Sequence, residues 1–283
     1  MTNQRVEVVI SGGIGNQLFQ YAAGLSLSKR LNSELVLDLS WYFRSHGSSQ
    51  RRMELDKFIN LAEVQVISSP LYSKAHRIGR VFQGYKIIDD SICNPDKFES
   101  FVCSRDVSMN GYWQSERYFS RISHELRDLI VQDKFSSTVT SEMAQSIVSS
   151  KCIGLHVRRG DYVANPKTRA FHGVCDVDYF FAGAKFISQS KIIDSIFIFS
   201  DDTAWCAKNL KFDIETKIVD SSICDIDQLK LLSLCSHHII SNSSFSWWAA
   251  WIGLKDGQAV VYPKSWFADG SSMESMPLGW IAL

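Results

Sequence analysis

The first forty residues constrain the fold more than any other stretch. Residues 6–10 form a β-branched run broken only by Glu7, residues 11–16 read SGGIGN, residues 17–31 have helix-compatible composition, and residues 34–37, ELVL, read as a second strand that ends at Asp38. Strand, glycine turn, helix and strand make a βαβ unit, which commits the chain to a parallel sheet with helices on its faces. The second half repeats the pattern. Short apolar runs at 152–157, 195–199, 238–240 and 259–262 are each followed by polar or turn-forming residues, and helix-length segments at 177–190 and 226–235 lie between them. In such sheets ligands sit beyond the carboxyl ends of the strands, so the polar residues there are the ones to read for chemistry.

The middle, roughly 45–110, is less regular and reads as hairpin-like fragments and loops. Residues 136–150 turn rich in Ser and Thr, which suggests a helix or linker between two α/β units. The domains are therefore expected at 1–140 and 141–283, with the last residues packing back on the N-terminal domain. A length of 283 residues and a hydrophobic fraction of 45% suit two such domains and exclude global disorder.

Thirty basic and thirty acidic residues cancel, which argues against a broad nucleic-acid-binding face; any anion site must be local. No apolar run approaches the roughly 20 residues a membrane span needs, and the start lacks the basic and apolar regions of a signal peptide, so a soluble, cytoplasmic protein is expected. Seven cysteines, an odd number without a CxxC pair, read as free buried thiols in a reducing compartment.

Four segments carry groups that could bind or react. SGGIGNQ places Gly12, Gly13 and Gly15 between strand and helix, where backbone N–H groups can meet an anion, and Asn16 and Gln17 offer hydrogen bonds to a polar ligand. A dinucleotide fingerprint would need Gly where Leu18 stands, although Asp38 keeps that reading open; a phosphate-binding P-loop lacks its Lys-Ser/Thr; a purely structural turn is a further reading. LHVRRGDY, 155–162, sets two arginines after an apolar strand. Guanidinium donors match paired phosphate oxygens, and alternation sends His156 and Arg158 to one side and Arg159 to the other. One arginine would grip a ligand while its neighbour is held by an acid such as Asp161. A surface salt bridge beside a core histidine is the plain alternative, and the RGD tripeptide alone does not support an adhesion role. FIFSDD, 197–202, ends a strand in two carboxylates, Asp201 and Asp202, without a second acidic cluster to imply a metal. NSSFSWWAAW, 242–251, places Asn242, Ser243 and Ser244 at the start of a helix whose tryptophans suit a core. An arginine pair, a serine-rich helix start and a glycine turn together suggest a held diphosphate, neutralised by side chains rather than metal.

GGIGNQLFQYAAG, GYWQSERYF, HVRRGDY, FSDD and SNSSFSWWAAW, in this order over most of the chain, resemble the bacterial α-1,2-fucosyltransferases. The resemblance implies a GT-B type α/β fold with two Rossmann-like domains facing a central cleft, GDP-fucose as donor, inversion at the anomeric carbon, no required metal or other cofactor, and a terminal β-galactoside accepting at its 2-hydroxyl. Arg158 would hold the diphosphate, with His156 and Arg159 supporting it. Ser243, Ser244 and Phe245, with Asn242, would lie at the phosphates or fucose, Asp201 or Asp202 near guanosine, and Gly13, Gly15 and Asn16 at a turn closing over the reaction centre. Asp161 is the first candidate for the base that takes the acceptor's proton, His156 the second. Trp41, Tyr42, Tyr112 and Trp113 are expected to stack on the acceptor sugar. The resemblance also implies surface-glycan synthesis, with peripheral association at the cytoplasmic face of the inner membrane. A dinucleotide-dependent oxidoreductase and a non-catalytic glycan-binding module are the competing readings.

Overall fold

The computed structural model describes residues 4–43, 51–59, 64–68, 79–131, 135–271, 273 and 276–283. The chain divides into two compact units, Met1–Gln132 and Asp133–Leu283. The division falls ahead of the 140/141 boundary expected from the Ser/Thr-rich stretch, and the reason is local. Helix Thr138–Val148 is started by a capping box between Ser137 and Thr140 and packs on helix Asp225–Leu234. Asp227 of that second helix is buried and accepts from the Ser136 N–H at 3.1 Å and from the Ser136 hydroxyl, drawing residues 136–148 into the second unit.

In the first unit, β1 (Arg5–Val9), β2 (Glu34–Asp38), β3 (Gln65–Ile67), β4 (Lys86–Asp89) and β5 (Val107–Asn110) form a parallel sheet in the order β3-β2-β1-β5-β4. The described part of the middle region therefore supplies parallel strands rather than hairpins. Helix α1 (Ile14–Arg30) follows β1 and starts three residues earlier than composition suggested, because Gly13 itself is the N-cap. Its face buries Leu18, Phe19, Ala22, Ala23 and Leu27 against the sheet.

In the second unit, β6 (Cys152–Val157), β7 (Ser195–Ser200), β8 (Glu215–Ile218), β9 (His237–Ile239), β10 (Val260–Tyr262) and β11 (Ile281–Ala282) form a parallel sheet in the order β11-β10-β9-β6-β7-β8. The final residues, expected to return to the first unit, instead add β11 to β10 of this sheet. β6 and β7 are buried along their whole length, as their unbroken apolar runs require of strands covered on both faces. The core gathers Ile153, Leu155, Val157, Ile196, Ile198 and Ile239 of the sheet under Phe180, Ala184 and Ile187 of helix Val177–Ser188. The last helix, Ser244–Ile252, buries Trp247, Trp248 and Trp251 against one another, with the Trp247 and Trp251 rings stacked at 6.0 Å. All seven cysteines are free, and four of them are buried. Among the described residues no helix is long and apolar enough to cross a membrane.

Candidate functional site: the carboxyl ends of the two sheets

Strand order reverses at β6, with β7 and β8 on one side and β9, β10 and β11 on the other. A crevice is expected at the carboxyl ends of β6 and β9, and three of the sequence motifs end on β9, β6 and β7 at that edge. Ser241 joins the first two: its hydroxyl donates to the His156 carbonyl at 2.6 Å and accepts from the Arg158 N–H at 3.1 Å. Ser200 joins the third, its hydroxyl donating to the Val157 carbonyl at 2.9 Å and accepting from the Asp202 N–H at 2.9 Å.

On this frame the arginines are held separately. Arg158 donates to Asp161 at 2.7 Å through Nη2 and pairs with Asp201 at 2.9 Å through Nη1. Its guanidinium lies 5.7 Å from the Tyr162 ring centroid. Burial alone would lower its pKa, but Asp201 and Asp161 outweigh burial and raise it. Arg159 lies 3.9 Å over the Trp205 ring and pairs with Asp202 at 3.2 Å. Asp161 thus clamps Arg158 itself and not its neighbour, because helix Gly160–Ala164 brings Asp161 three residues along to the same side. Asp201 and Asp202, expected near a base, hold the two arginines here, and Asp202 also caps helix Thr203–Asn209.

His156 is buried and its ring stacks on Phe245 at 5.2 Å. Burial pushes its pKa down to about 3, with Asp201 opposing and Arg158 adding to the shift, so the imidazole is neutral. Among the described residues its Nδ1 has no hydrogen-bond partner. Ser243 is the N-cap of helix Ser244–Ile252 and its side chain makes no capping bond. Asn242 departs from its expected place at the ligand. Its side-chain amide donates to the His172 carbonyl at 2.6 Å and the Trp266 carbonyl at 3.0 Å, and its oxygen faces the Cys175 thiol at 3.7 Å, so it ties loops together beneath the site.

His172 was not legible in the sequence. It ends helix Pro166–His172, stacks on Tyr162 at 4.6 Å with the rings 5° apart, and senses Asp161 and Arg158. Burial lowers its pKa, Asp161 opposing and Arg158 reinforcing. The signal, a lone histidine ahead of Gly173, is too generic to read without the fold.

At the carboxyl edge of the first unit side-chain amides bridge the loops, beside Asp38, Asp90 and Arg51. Gly12 has φ +77°, and a Cβ there would lie 2.9 Å from Asn16 Nδ2, so the turn requires glycine beside that side chain. Asn16 accepts from Gln114 Nε2 at 2.8 Å. Gln17 donates to the carbonyls of Gly12 and Arg52 and accepts from the N–H groups of Glu54 and Leu55. Gln20 links Ser11 at the end of β1 to the Gly111 carbonyl after β5. Tyr42 donates to the Gly12 carbonyl at 3.0 Å, and Trp41 packs edge-on against it at 5.0 Å. Gly13 is half-buried at the N-cap, whereas Gly15 is buried inside α1.

The expected aromatic group divides. Tyr112 is exposed, but Trp113 is fully buried against Phe98 and Tyr118 and belongs to the core. Gly111 at φ +106° turns the chain so that Tyr112 and Trp113 donate their N–H groups to Asp90, which directs the indole inward. Asp38 is likewise fully buried and accepts from the Ser40 N–H at 2.9 Å, so it is not placed to receive a ribose, and the dinucleotide reading loses its acidic partner.

Comparison with known proteins agrees with this architecture. Glycosyl transferase family 11 matches residues 2–282. An alpha-1,2-colitosyltransferase of Escherichia coli is 30% identical over 97% of this chain and 97% of its own length. A galactoside 2-alpha-L-fucosyltransferase, SEC1 of Bos taurus, is 27% identical over 58% of this chain and 46% of its own. Among solved structures, NodZ alpha-1,6-fucosyltransferase soaked with GDP-fucose has a TM-score of 0.53 at 13% identity, covering 89% of this chain and 93% of that one. Two parallel Rossmann-like units, a GT-B type fold and a family match over almost every residue converge on one assignment: the chain belongs to glycosyl transferase family 11, a fucosyltransferase family.

Proposed function

We propose that the protein transfers L-fucose from GDP-β-L-fucose to the 2-hydroxyl of a terminal β-galactoside, inverting the anomeric carbon to give an α-1,2 linkage. The observation that carries this reading is Arg158, fixed between Asp161 and Asp201 at the carboxyl end of β6, next to the start of helix Ser244–Ile252. A departing nucleoside diphosphate gains charge as the glycosidic bond breaks. A pre-oriented guanidinium and helix N–H groups stabilise that charge without reorganising, which gives the protein's own cations the role a divalent metal fills elsewhere. Arg159, stacked on Trp205, supports the same positive end.

Asp161 serves to orient Arg158 rather than to remove the acceptor's proton, since its carboxylate already accepts from the guanidinium at 2.7 Å. Neutral His156, with its pKa near 3, is a weak base and a better hydrogen-bonding partner. The acceptor sugar is assigned to Asn16, Gln114, Tyr42 and Tyr112 of the first unit, where amides and phenols can meet hydroxyls and sugar faces.

The relative named for colitose, which is L-fucose lacking the 3-hydroxyl, makes the donor the point to test. GDP-fucose and GDP-colitose are each incubated with a panel of β-galactosides, with and without chelator, and the product linkage is read by NMR. An α-1,2-fucosyl product formed in chelator supports the proposal. Transfer from GDP-colitose alone, another linkage, or a strict need for manganese overturns the corresponding part of it.

A further inference from the structure

The charged edge of the second unit holds more acid than base. Arg158 and Arg159 face Asp161, Asp201 and Asp202, two cations against three carboxylates. A diphosphate brought to Arg158 adds further negative charge to ion pairs already partly withdrawn from water, where like charges repel strongly. The N–H groups at the start of helix Ser244–Ile252 offset part of it. A positive group that forms only with the ligand would offset more, and histidine is the side chain that can supply one near neutral pH.

Burial keeps His156 neutral, with its pKa at about 3, so it is too deep for this task. His172 fits it. Its half-buried ring lies parallel to Tyr162 at 4.6 Å, with Phe171 edge-on at 4.8 Å and Phe267 tilted at 6.2 Å. The Tyr162 ring in turn lies 5.7 Å from the Arg158 guanidinium. Hydrogen bonds close the same circuit: the Tyr162 hydroxyl donates to the Asn242 carbonyl at 3.1 Å, and the Asn242 amide donates to the His172 carbonyl at 2.6 Å. A phenyl ring would fill this stack equally well. The imidazole instead buries Nδ1, which among the described residues has no hydrogen-bond partner, a cost that stacking does not require.

The titratable and charged groups about the ring are Asp161 and Tyr162 on helix Gly160–Ala164, Arg158 after β6, Arg169 one turn earlier on its own helix, Cys175 beyond Gly173, and Asp269 past Phe267. Burial and Arg158 hold His172 below its ordinary pKa of 6.5, and Asp161 opposes them. A diphosphate seated on Arg158 answers the guanidinium and adds negative charge, which reverses that balance.

We propose, on the reading that the donor's diphosphate sits at Arg158, that His172 takes up a proton when the donor binds and steadies the arginine clamp as an imidazolium stacked on Tyr162. It is a positioning residue, acting through Asp161 and the shared Tyr162 ring on the guanidinium that meets the phosphates. The proton comes from solvent and returns to it when the nucleotide leaves. Donor affinity is therefore highest below the pKa of His172 in the free protein, weakens as pH rises to the bound value, and is level beyond it.

Calorimetry of GDP-fucose binding to the intact protein, without acceptor and in buffers of different ionisation enthalpy, tests it. The phosphates of GDP-fucose do not titrate near neutrality, so uptake reports on the protein. Uptake approaching one proton is expected around pH 6.5, with affinity falling by up to about tenfold per pH unit above it. His172→Phe, which keeps a ring on Tyr162, should abolish the uptake, level the pH profile and weaken binding about tenfold at pH 6.5, with the melting temperature little changed. His172→Gln should level the profile likewise. Uptake that persists in both variants, or GDP-fucose binding without uptake by the unmodified protein, would overturn the role of His172 and leave the donor reading standing. Absence of GDP-fucose binding at every pH would overturn both.

Discussion

The two units share a parallel sheet with its order reversing at a central strand, yet they finish the carboxyl edge in different chemistry. The first closes it with Gln17, Gln20, Asn16 and Gln114, neutral amides that bridge loops. The second closes it with Arg158, Arg159, Asp161, Asp201 and Asp202, a set of ion pairs framed by hydroxyls. Topology sets where a ligand can sit; the termini of the strands set which charge it carries. An edge bridged by amides suits sugar hydroxyls even with Asp38, Asp90 and Arg51 beside it, and one led by a clamped arginine pair suits a diphosphate.

The strongest way to break this contrast is to neutralise the charged edge. Arg158→Ala should lower kcat/KM at least 100-fold while the melting temperature changes little, and turnover retained within about tenfold would remove Arg158 from the donor site. Asp161→Asn comes next. As a clamp on Arg158 it should weaken GDP affinity about 10- to 100-fold, measured by calorimetry, whereas a base would lose turnover with GDP affinity intact. On the amide-bridged edge, Gln20→Ala leaves the Ser11 N–H and the Gly111 carbonyl without their partner and should cost about 2–3 kcal/mol in denaturant unfolding of the first unit.

The contrast extends to pH. Glu7 in β1 is buried under Arg80, and burial outweighs the guanidinium, pushing its pKa up from 4.5 to about 7. Its contribution to stability is therefore full below 4.5 and is lost as pH rises through 7. In the second unit His156 and His238 are pushed down from 6.5 to about 3, chiefly by burial. Their contribution is full above 6.5 and is lost as pH falls, by about 2 kcal/mol each at around pH 5. Lowering the pH from about 7 to about 5 should thus weaken the second unit and strengthen the first, which pulsed hydrogen exchange read peptide by peptide would separate. The smallest effect is Tyr42→Phe, which removes one bond to the Gly12 carbonyl, worth about 1 kcal/mol.

Much of the second edge was legible because its signals are local. β6 runs Cys152–Val157 as its unbroken apolar run indicates, and the arginines, the carboxylates and the serine-rich helix start follow three neighbouring strands directly. What adjacency cannot reveal is pairing. Asp161 on Arg158, Asp202 on Arg159 and Asn242 beneath the site depend on which strands become neighbours. Trp113 illustrates a different limit: an aromatic residue suits a core as well as a sugar, and a carboxylate 23 residues away, Asp90, decides its direction. Asn16 and Gln17 stood out by following the glycine turn, but Gln20 and Gln114 stayed unread because a side-chain amide carries no mark of the loops it will bridge.

The placement of β11 in the second sheet has a consequence for building variants. Because the chain's end stays with the unit it belongs to, Met1–Gln132 and Asp133–Leu283 are each one uninterrupted stretch. A chimaera within the family therefore needs a single splice, and one crossover exchanges the whole amide-lined half while leaving every ion pair of the other half encoded as it stands.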